Sequence, residues 1–133
     1  MGSTKAQWLS HVAVSVPVGM LDDQFRDRVR GFYGDAFEWR EIDELRLPDR
    51  LTLAVGDRCY LNIREREEPM TCSGYEHVGV AMSSPEAVDA LWARLRATDD
   101  DLELSELKRG NDGYRSFRFR HLLPMAIEVQ HFP

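Results

Sequence analysis

His11 and His77 open matching segments, His-Val-Ala-Val-Ser-Val and His-Val-Gly-Val-Ala-Met, set 66 residues apart. The same interval separates Asn62, in Leu-Asn-Ile-Arg, from Glu128, in Ile-Glu-Val-Gln. Imidazole nitrogen and carboxylate oxygen are ligands for a divalent ion of the Fe, Mn, Zn or Ni type, and a carboxamide oxygen can join them. Two histidines and one glutamate leave coordination positions open for water or substrate, as a catalytic metal requires. The competing reading is structural: strand histidines held by hydrogen bonds, with Glu128 paired to Arg118 or Arg120. Symmetry favours the metal, because the two histidines occupy one pair of equivalent positions and Asn62 and Glu128 the other.

Positioning these residues calls for a duplicated unit. The 66-residue offset also lays Gln24–Gly31 on Ala90–Ala97, so one shift aligns three separate segments. Two copies are too few for a solenoid and suit two modules of one domain spanning 1–133. Residues 10–16 and 76–82 alternate apolar with small or polar side chains, the period of a half-buried strand. Leu21, Phe25, Val29 and Phe32 then form one helical face, with Gly34 as the expected helix end. In the second copy the Ser83–Glu86 segment supplies a cap, and Val88, Leu91, Trp92 and Leu95 form the face. Strands are expected at Phe37–Ile42 and Leu102–Leu107. Further strands follow at Leu51–Val55 and Arg58–Ile63, around a two-residue Gly56-Asp57 turn, and at Tyr114–His121 and Met125–Gln130. The fold class is α+β: two tandem βαβββ modules, 9–66 and 75–133, whose curved sheets enclose a cleft. The charged stretch Glu65–Gly74 joins them as a solvated linker.

Side chains two apart on a strand share a face. Val14, Val16, Val80, Ile127 and Val129 should lie under the helices with Leu91, Trp92 and Leu95. His11, Asn62, His77 and Glu128 take the opposite, polar face. Tyr60 shares it, lining the cleft or simply packing. Phe117 and Phe119 go under the helix, which leaves Arg118 and Arg120 on the cleft face. There Arg118 either binds a carboxylate or phosphate of a ligand or pairs with Glu128. His121 is expected at a loop or rim, and His131 at the surface.

Composition limits the partners. The chain has 23 Asp plus Glu against 17 Lys plus Arg, a net charge of -6. A nucleic-acid binder normally carries the opposite excess. No apolar run approaches the ~20 residues that span a bilayer, so no membrane partner is expected. The first residues, MGSTKAQW, contain no apolar signal core. Cys59 and Cys72 form neither a disulfide framework nor a CxxC zinc motif and fit free thiols in a reducing compartment. The expectation is a cytoplasmic protein with a small-molecule ligand, and a homodimer because each module exposes a sheet edge. The linker, extended to ~33 Å, permits the cleft to close within one chain or between two.

Paired βαβββ modules with ligands on their first and last strands resemble the vicinal oxygen chelate superfamily. That group includes glyoxalase I, extradiol dioxygenases, fosfomycin-resistance thiol transferases, methylmalonyl-CoA epimerase and bleomycin-binding proteins. The resemblance runs from about Leu9 to Phe132. It rests on Ser10–Val14, Gly31–Gly34, Glu76–Val80, Arg115–Arg120 and Ile127–Val129. The family's Asp-Pro-x-Gly turn before the last strand is replaced by His121-Leu-Leu-Pro. The resemblance implies a metal at His11, His77 and Glu128 with Asn62 beside them, acting as a Lewis acid on an oxygen-rich, anionic substrate. It implies glyoxalase-like lyase or isomerase chemistry, or dioxygenase chemistry. Asn62 stands where glyoxalases and epimerases place a second acid. Tyr60 and Arg118 stand where the dioxygenases carry a histidine and a tyrosine, and they are the candidate catalytic residues. Lys108 matches a basic position of the thiol transferases' anion-binding loop. Tyr60, Arg118, Arg120 and Lys108 are thus the expected substrate-binding set. The alternative is a metal-free protein that sequesters a small molecule or antibiotic in the same cleft.

Overall fold

A computed structural model describes residues 2, 4–98 and 101–133. It comprises two compact units, Met1–Met70 and Thr71–Pro133, whose boundary falls in the polar stretch between the repeats. The second module spans residues 99 and 100, which lie outside the described residues, as do residues 1 and 3.

The first unit runs β1 (His11–Pro17), α1 (Asp23–Phe37), β2 (Arg40–Glu41), a 3-10 turn (Asp43–Leu45), β3 (Arg50–Ala54) and β4 (Tyr60–Arg66). Its sheet has the order β1-β4-β3-β2, with β1 parallel to β4 and the other pairs antiparallel. The second unit runs β5 (His77–Ala81), α2 (Pro85–Ala97), β6 (Glu103–Leu104), β7 (Lys108–Arg109), β8 (Arg115–Arg120) and β9 (Ala126–His131). Its order is β5-β9-β8-β6, with β5 parallel to β9 and β7 also paired to β8. Parallel neighbours need a crossover, and in each unit the helix supplies it. The fold is therefore α+β, two βαβββ-like modules each forming a mixed sheet.

Several boundaries differ from expectation. Gly34 does not end α1. The helix continues to Phe37 and stops at Glu38, which is left-handed at φ 60 and returns its N–H to the Gly34 carbonyl. The extra turn brings Phe37 and Tyr33 against Trp39, with ring centroids 4.8 and 5.4 Å away. It also shortens β2 to two residues. The buried face of α1 is Phe25, Arg26, Val29 and Tyr33; Phe32 is only half-buried. The first hairpin turn is longer than two residues, because Val55 N–H bonds the Cys59 carbonyl. Glu65 belongs to β4 rather than to a linker, and its carboxylate accepts the Leu21 N–H at 2.8 Å. Strand β7 has no counterpart in the expected pattern.

Arg26 lies on the apolar face of α1, yet it is 3% exposed. Its guanidinium donates to the carbonyls of Leu21 (3.0 Å), Leu47 (2.7 Å), Pro48 (3.1 Å) and Arg50 (3.3 Å). It also lies 3.8 Å from buried Glu41, which accepts a 2.7 Å bond from Arg30. A buried cation with this many acceptors pins the loop before β3 to the helix.

Val14, Val16, Leu91, Leu95, Ile127 and Val129 are buried, as expected. Val80 and Trp92 are only half-buried. Val80 belongs to β5, an edge strand with one neighbour. The Trp92 indole N–H reaches the Ser105 carbonyl at 3.0 Å, and the Arg96 guanidinium covers its ring at 5.1 Å, which hold the residue at the margin of the core. Leu95→Ala should cost about 2–5 kcal/mol, since it empties a buried site in α2; a urea-measured change below about 1 kcal/mol would contradict this packing. Burial pushes the Tyr33 phenol above the ordinary tyrosine value. The folded chain then holds that proton longer than the unfolded chain. The resulting stability is intact below pH ~10 and lost above it, by about 1.4 kcal/mol per pH unit until the folded form titrates. Urea midpoints should fall above pH ~10 in the wild type and distinctly less in Tyr33→Phe; equal slopes would contradict this.

Candidate functional site

In the first unit the parallel register sets His11 beside Tyr60 and Ala13 beside Asn62. Registered partners share a face, so His11, Tyr60 and Asn62 lie on one side of the sheet. The imidazole stacks on the Tyr60 ring, with centroids 4.9 Å apart and planes 6° apart. Its Nδ1 contacts Ser10 Oγ at 2.9 Å. Asn62 is placed differently. Its Oδ1 accepts the hydroxyl of Thr52, a buried β3 residue directly opposite, at 2.7 Å. That bond engages the one Asn62 atom able to ligate a metal, so Asn62 fits a metal site less well than the histidines.

In the second unit Glu128 of β9 is registered between Gly79 of β5 and Arg118 of β8. Gly79 has no side chain, which leaves the diagonal from His77 to Glu128 open. His77 Nε2 lies 3.2 Å from Glu128 Oε2, and Arg118 Nε lies 3.8 Å from Glu128 Oε1. His77 Nδ1 is 2.6 Å from the Tyr75 carbonyl oxygen. A carbonyl can only accept, so Nδ1 carries the proton. In neutral His77 the Nε2 lone pair therefore faces a carboxylate oxygen, and two acceptors at this distance require a cation between them. A proton on Nε2 meets that need, and so does a metal ion. Backbone fixation of the far nitrogen is how metal-binding histidines are commonly oriented. His77 and Glu128 thus fit a divalent ion, and exposed His11 offers the same chemistry in the first unit. Among the described residues no three His, Cys, Asp or Glu side chains form a ready metal cluster.

A cavity of about 290 Å³ opens beside Arg118 and Arg120, with Gly74, Glu103 and Ser105 in its wall. Arg120 Nε is 3.3 Å from Glu103 Oε2. Lys108 is exposed on β7, registered with Ser116, and so shares the Arg118 face of the sheet. The turn into β5 is braced by Ser73, whose N–H and hydroxyl donate to Glu76 Oε2 at 3.1 and 2.7 Å. These bonds hold the Glu76 carboxyl below the usual range. His121 is buried rather than at a rim, with Nδ1 3.1 Å from the Asp101 carbonyl, because the tight turn after β8 folds it inward. His131 lies within β9, half-buried, with Nδ1 2.9 Å from the Met82 carbonyl. Sequence reasoning missed Tyr75, whose carbonyl orients His77; a backbone acceptor leaves no mark in residue type.

No protein-family model matches the chain, and no curated protein matches it in sequence. Solved structures do match in fold. Lactoylglutathione lyase from Agrobacterium tumefaciens aligns with a TM-score of 0.66 at 19% identity, over 97% of this chain and 96% of that one. The fosfomycin resistance protein FosX from Listeria monocytogenes, complexed with Mn(II) and sulfate, aligns with a TM-score of 0.71 at 18% identity, over 97% and 93%. A glyoxalase/bleomycin resistance protein/dioxygenase family enzyme from Burkholderia phytofirmans PsJN gives 0.67 at 16% identity, over 92% and 96%. Each alignment covers at least 92% of this chain and so includes both modules. The chain thus has the fold of the glyoxalase/bleomycin resistance/dioxygenase proteins.

Proposed function

We propose that the protein is a metal-dependent enzyme acting on a small, oxygen-rich, anionic molecule, by lyase or isomerase chemistry or as a dioxygenase. One observation carries this reading: a histidine whose tautomer is fixed by a backbone carbonyl aims its other nitrogen at Glu128 from 3.2 Å. The FosX neighbour binds Mn(II), which agrees with a divalent ion on this fold. His77 and Glu128 are the core ligands, and His11, the repeat-equivalent of His77, is the third. Asn62 contributes at most a weak fourth, since Thr52 engages its oxygen.

When bound, the ion supplies Lewis-acid stabilisation of negative charge that develops on a substrate oxygen. The remaining work falls to the chain. Arg118 stands 3.8 Å from Glu128, too long for a hydrogen bond, so its planar donors are available to a substrate carboxylate or phosphate. Arg120 and Lys108 add positive charge on the same sheet face and steer an anion toward it. Tyr60 packs on His11 and presents a phenol beside it. Asn62 cannot accept a proton at neutral pH, so a proton-moving base must come from elsewhere. The protein is further proposed to be a homodimer in the cytoplasm, with free thiols.

A second reading, a metal-free protein that sequesters a small molecule, is favoured by the Asn62–Thr52 bond. Calorimetric titration with Mn(II) or Zn(II) separates the two. Wild type should bind a divalent ion at micromolar concentration. Glu128→Gln and His11→Ala should each weaken binding by about tenfold or more, and His131→Ala should not. No binding by the wild type would overturn the metalloenzyme and leave the sequestering protein.

A further inference from the structure

The ladder beside β8 is interrupted at one point. Leu104 is registered with Phe119 and Lys108 with Ser116, so the three residues 105–107 face only the two residues 117 and 118. The extra residue makes a β-bulge, a device that bends a strand and re-aims side chains beside it. The bonds at its start show how it is held. Ser105 N–H donates to the Arg118 carbonyl at 2.9 Å, which makes the two residues a hydrogen-bonded pair of the ladder. In a regular antiparallel pair the Arg118 N–H would return to the Ser105 carbonyl. Here the Trp92 indole N–H takes that carbonyl at 3.0 Å, and the Arg118 N–H donates to the Ser105 hydroxyl at 2.8 Å. The hydroxyl passes its own proton to the Glu106 carbonyl at 3.1 Å, which keeps a lone pair turned to Arg118. A side chain has thus replaced a main-chain acceptor, and a helix residue holds the displaced carbonyl.

The residue held in this way is Arg118. Its guanidinium has loose contacts, 3.8 Å to Glu128 and 5.8 Å to the centre of the Tyr75 ring, so its aim depends on where its backbone stands. Both backbone polar groups of Arg118 bond to Ser105, and the two residues line the same 290 Å³ cavity with Arg120. We propose that Ser105 is a positioning residue for the anion-binding Arg118, with Trp92 locking it in place. Without the hydroxyl, the Arg118 N–H is left unpaired or the Ser105 carbonyl must leave Trp92 and close the bulge. Either change moves the guanidinium away from the cavity arrangement. The inference rests on the anion-binding part of the reading above and not on the metal.

The test titrates sodium sulfate into the full-length protein without added metal, followed by NMR, with sodium chloride holding the ionic strength constant. Sulfate is a dianion throughout the neutral range, so pH does not change the probe. Wild type should bind sulfate with shifts at the Ser105 and Arg118 amides. Ser105→Ala should weaken binding by about threefold or more, the size of one modest hydrogen bond, and Ser105→Thr, which keeps the hydroxyl, should restore it. Arg118→Gln should weaken binding by about tenfold, and Ser105→Ala should then add nothing, because Ser105 acts through that guanidinium. Ser105 is exposed, so these replacements keep the fold, and the amide spectrum verifies it. Equal binding by wild type and Ser105→Ala, no rescue by threonine, or an undiminished Ser105→Ala effect in the Arg118→Gln background overturns the proposal and leaves the anion-binding role of Arg118 standing. No sulfate binding by the wild type removes that role and the proposal with it.

Discussion

In each unit the first strand pairs in parallel with the last, and the arrangement of chemistry follows from that pairing. A parallel neighbour cannot be reached by a tight turn, so a helix must cross over one sheet face and cover it. The apolar alternation Val14, Val16, Leu61, Ile63 in one unit and Ile127, Val129 in the other turns toward that cover. The opposite face is left to small and polar side chains. The register then fixes the neighbours: His11 lies beside Tyr60, and Glu128 lies beside Gly79, one diagonal step from His77. A slip by one residue would send His77 and Glu128 to opposite sides.

Glu128 stands at the centre of a balance of charges. His77 approaches one of its oxygens and Arg118 the other, at 3.2 and 3.8 Å. A carboxylate in this position is compensated by whichever cation is present: a proton on His77, the guanidinium, or a metal ion. The contact of Arg118 with Glu128 is loose, too long for a hydrogen bond. The first unit shows a contrasting solution at the equivalent strand position. Asn62 carries no charge, and its oxygen is satisfied by a buried threonine. The two modules thus share one topology but differ in the chemistry of the side chain at this strand position. The first copy is also tied internally by Arg26, whose carbonyl contacts hold the loop before β3.

Much of this was legible in the sequence, because alternation and the 66-residue offset report directly on strand faces and equivalent positions. They identify the fold, the buried residues Val88, Leu91 and Leu95 of the α2 face, and the common sheet face of His77, Arg118 and Glu128, but on α1 they place Phe32 where Tyr33 is buried. The misses have physical causes. Arg26 breaks the apolar pattern of α1, yet it is buried because backbone carbonyls surround it. The end of α1 was misplaced because Gly34 invites termination, whereas the ring cluster of Tyr33, Phe37 and Trp39 rewards one more turn. His121 does lie in the loop after β8, but it is buried there rather than at a rim, and burial within a loop has no periodic signature. The engagement of Asn62 by Thr52 and the orienting role of the Tyr75 carbonyl are pairings across strands or through backbone, and residue spacing does not encode them.

The central claim is that His77 is held with Nδ1 protonated and Nε2 directed to a cation shared with Glu128. Nitrogen-15 NMR of the histidine rings reads this directly. In metal-free protein at a pH where the ring is neutral, the account predicts that His77 carries its proton on Nδ1, and that adding Zn(II) moves the Nε2 resonance while Nδ1 stays protonated. A neutral His77 protonated on Nε2, or a spectrum unchanged by the metal, would contradict it.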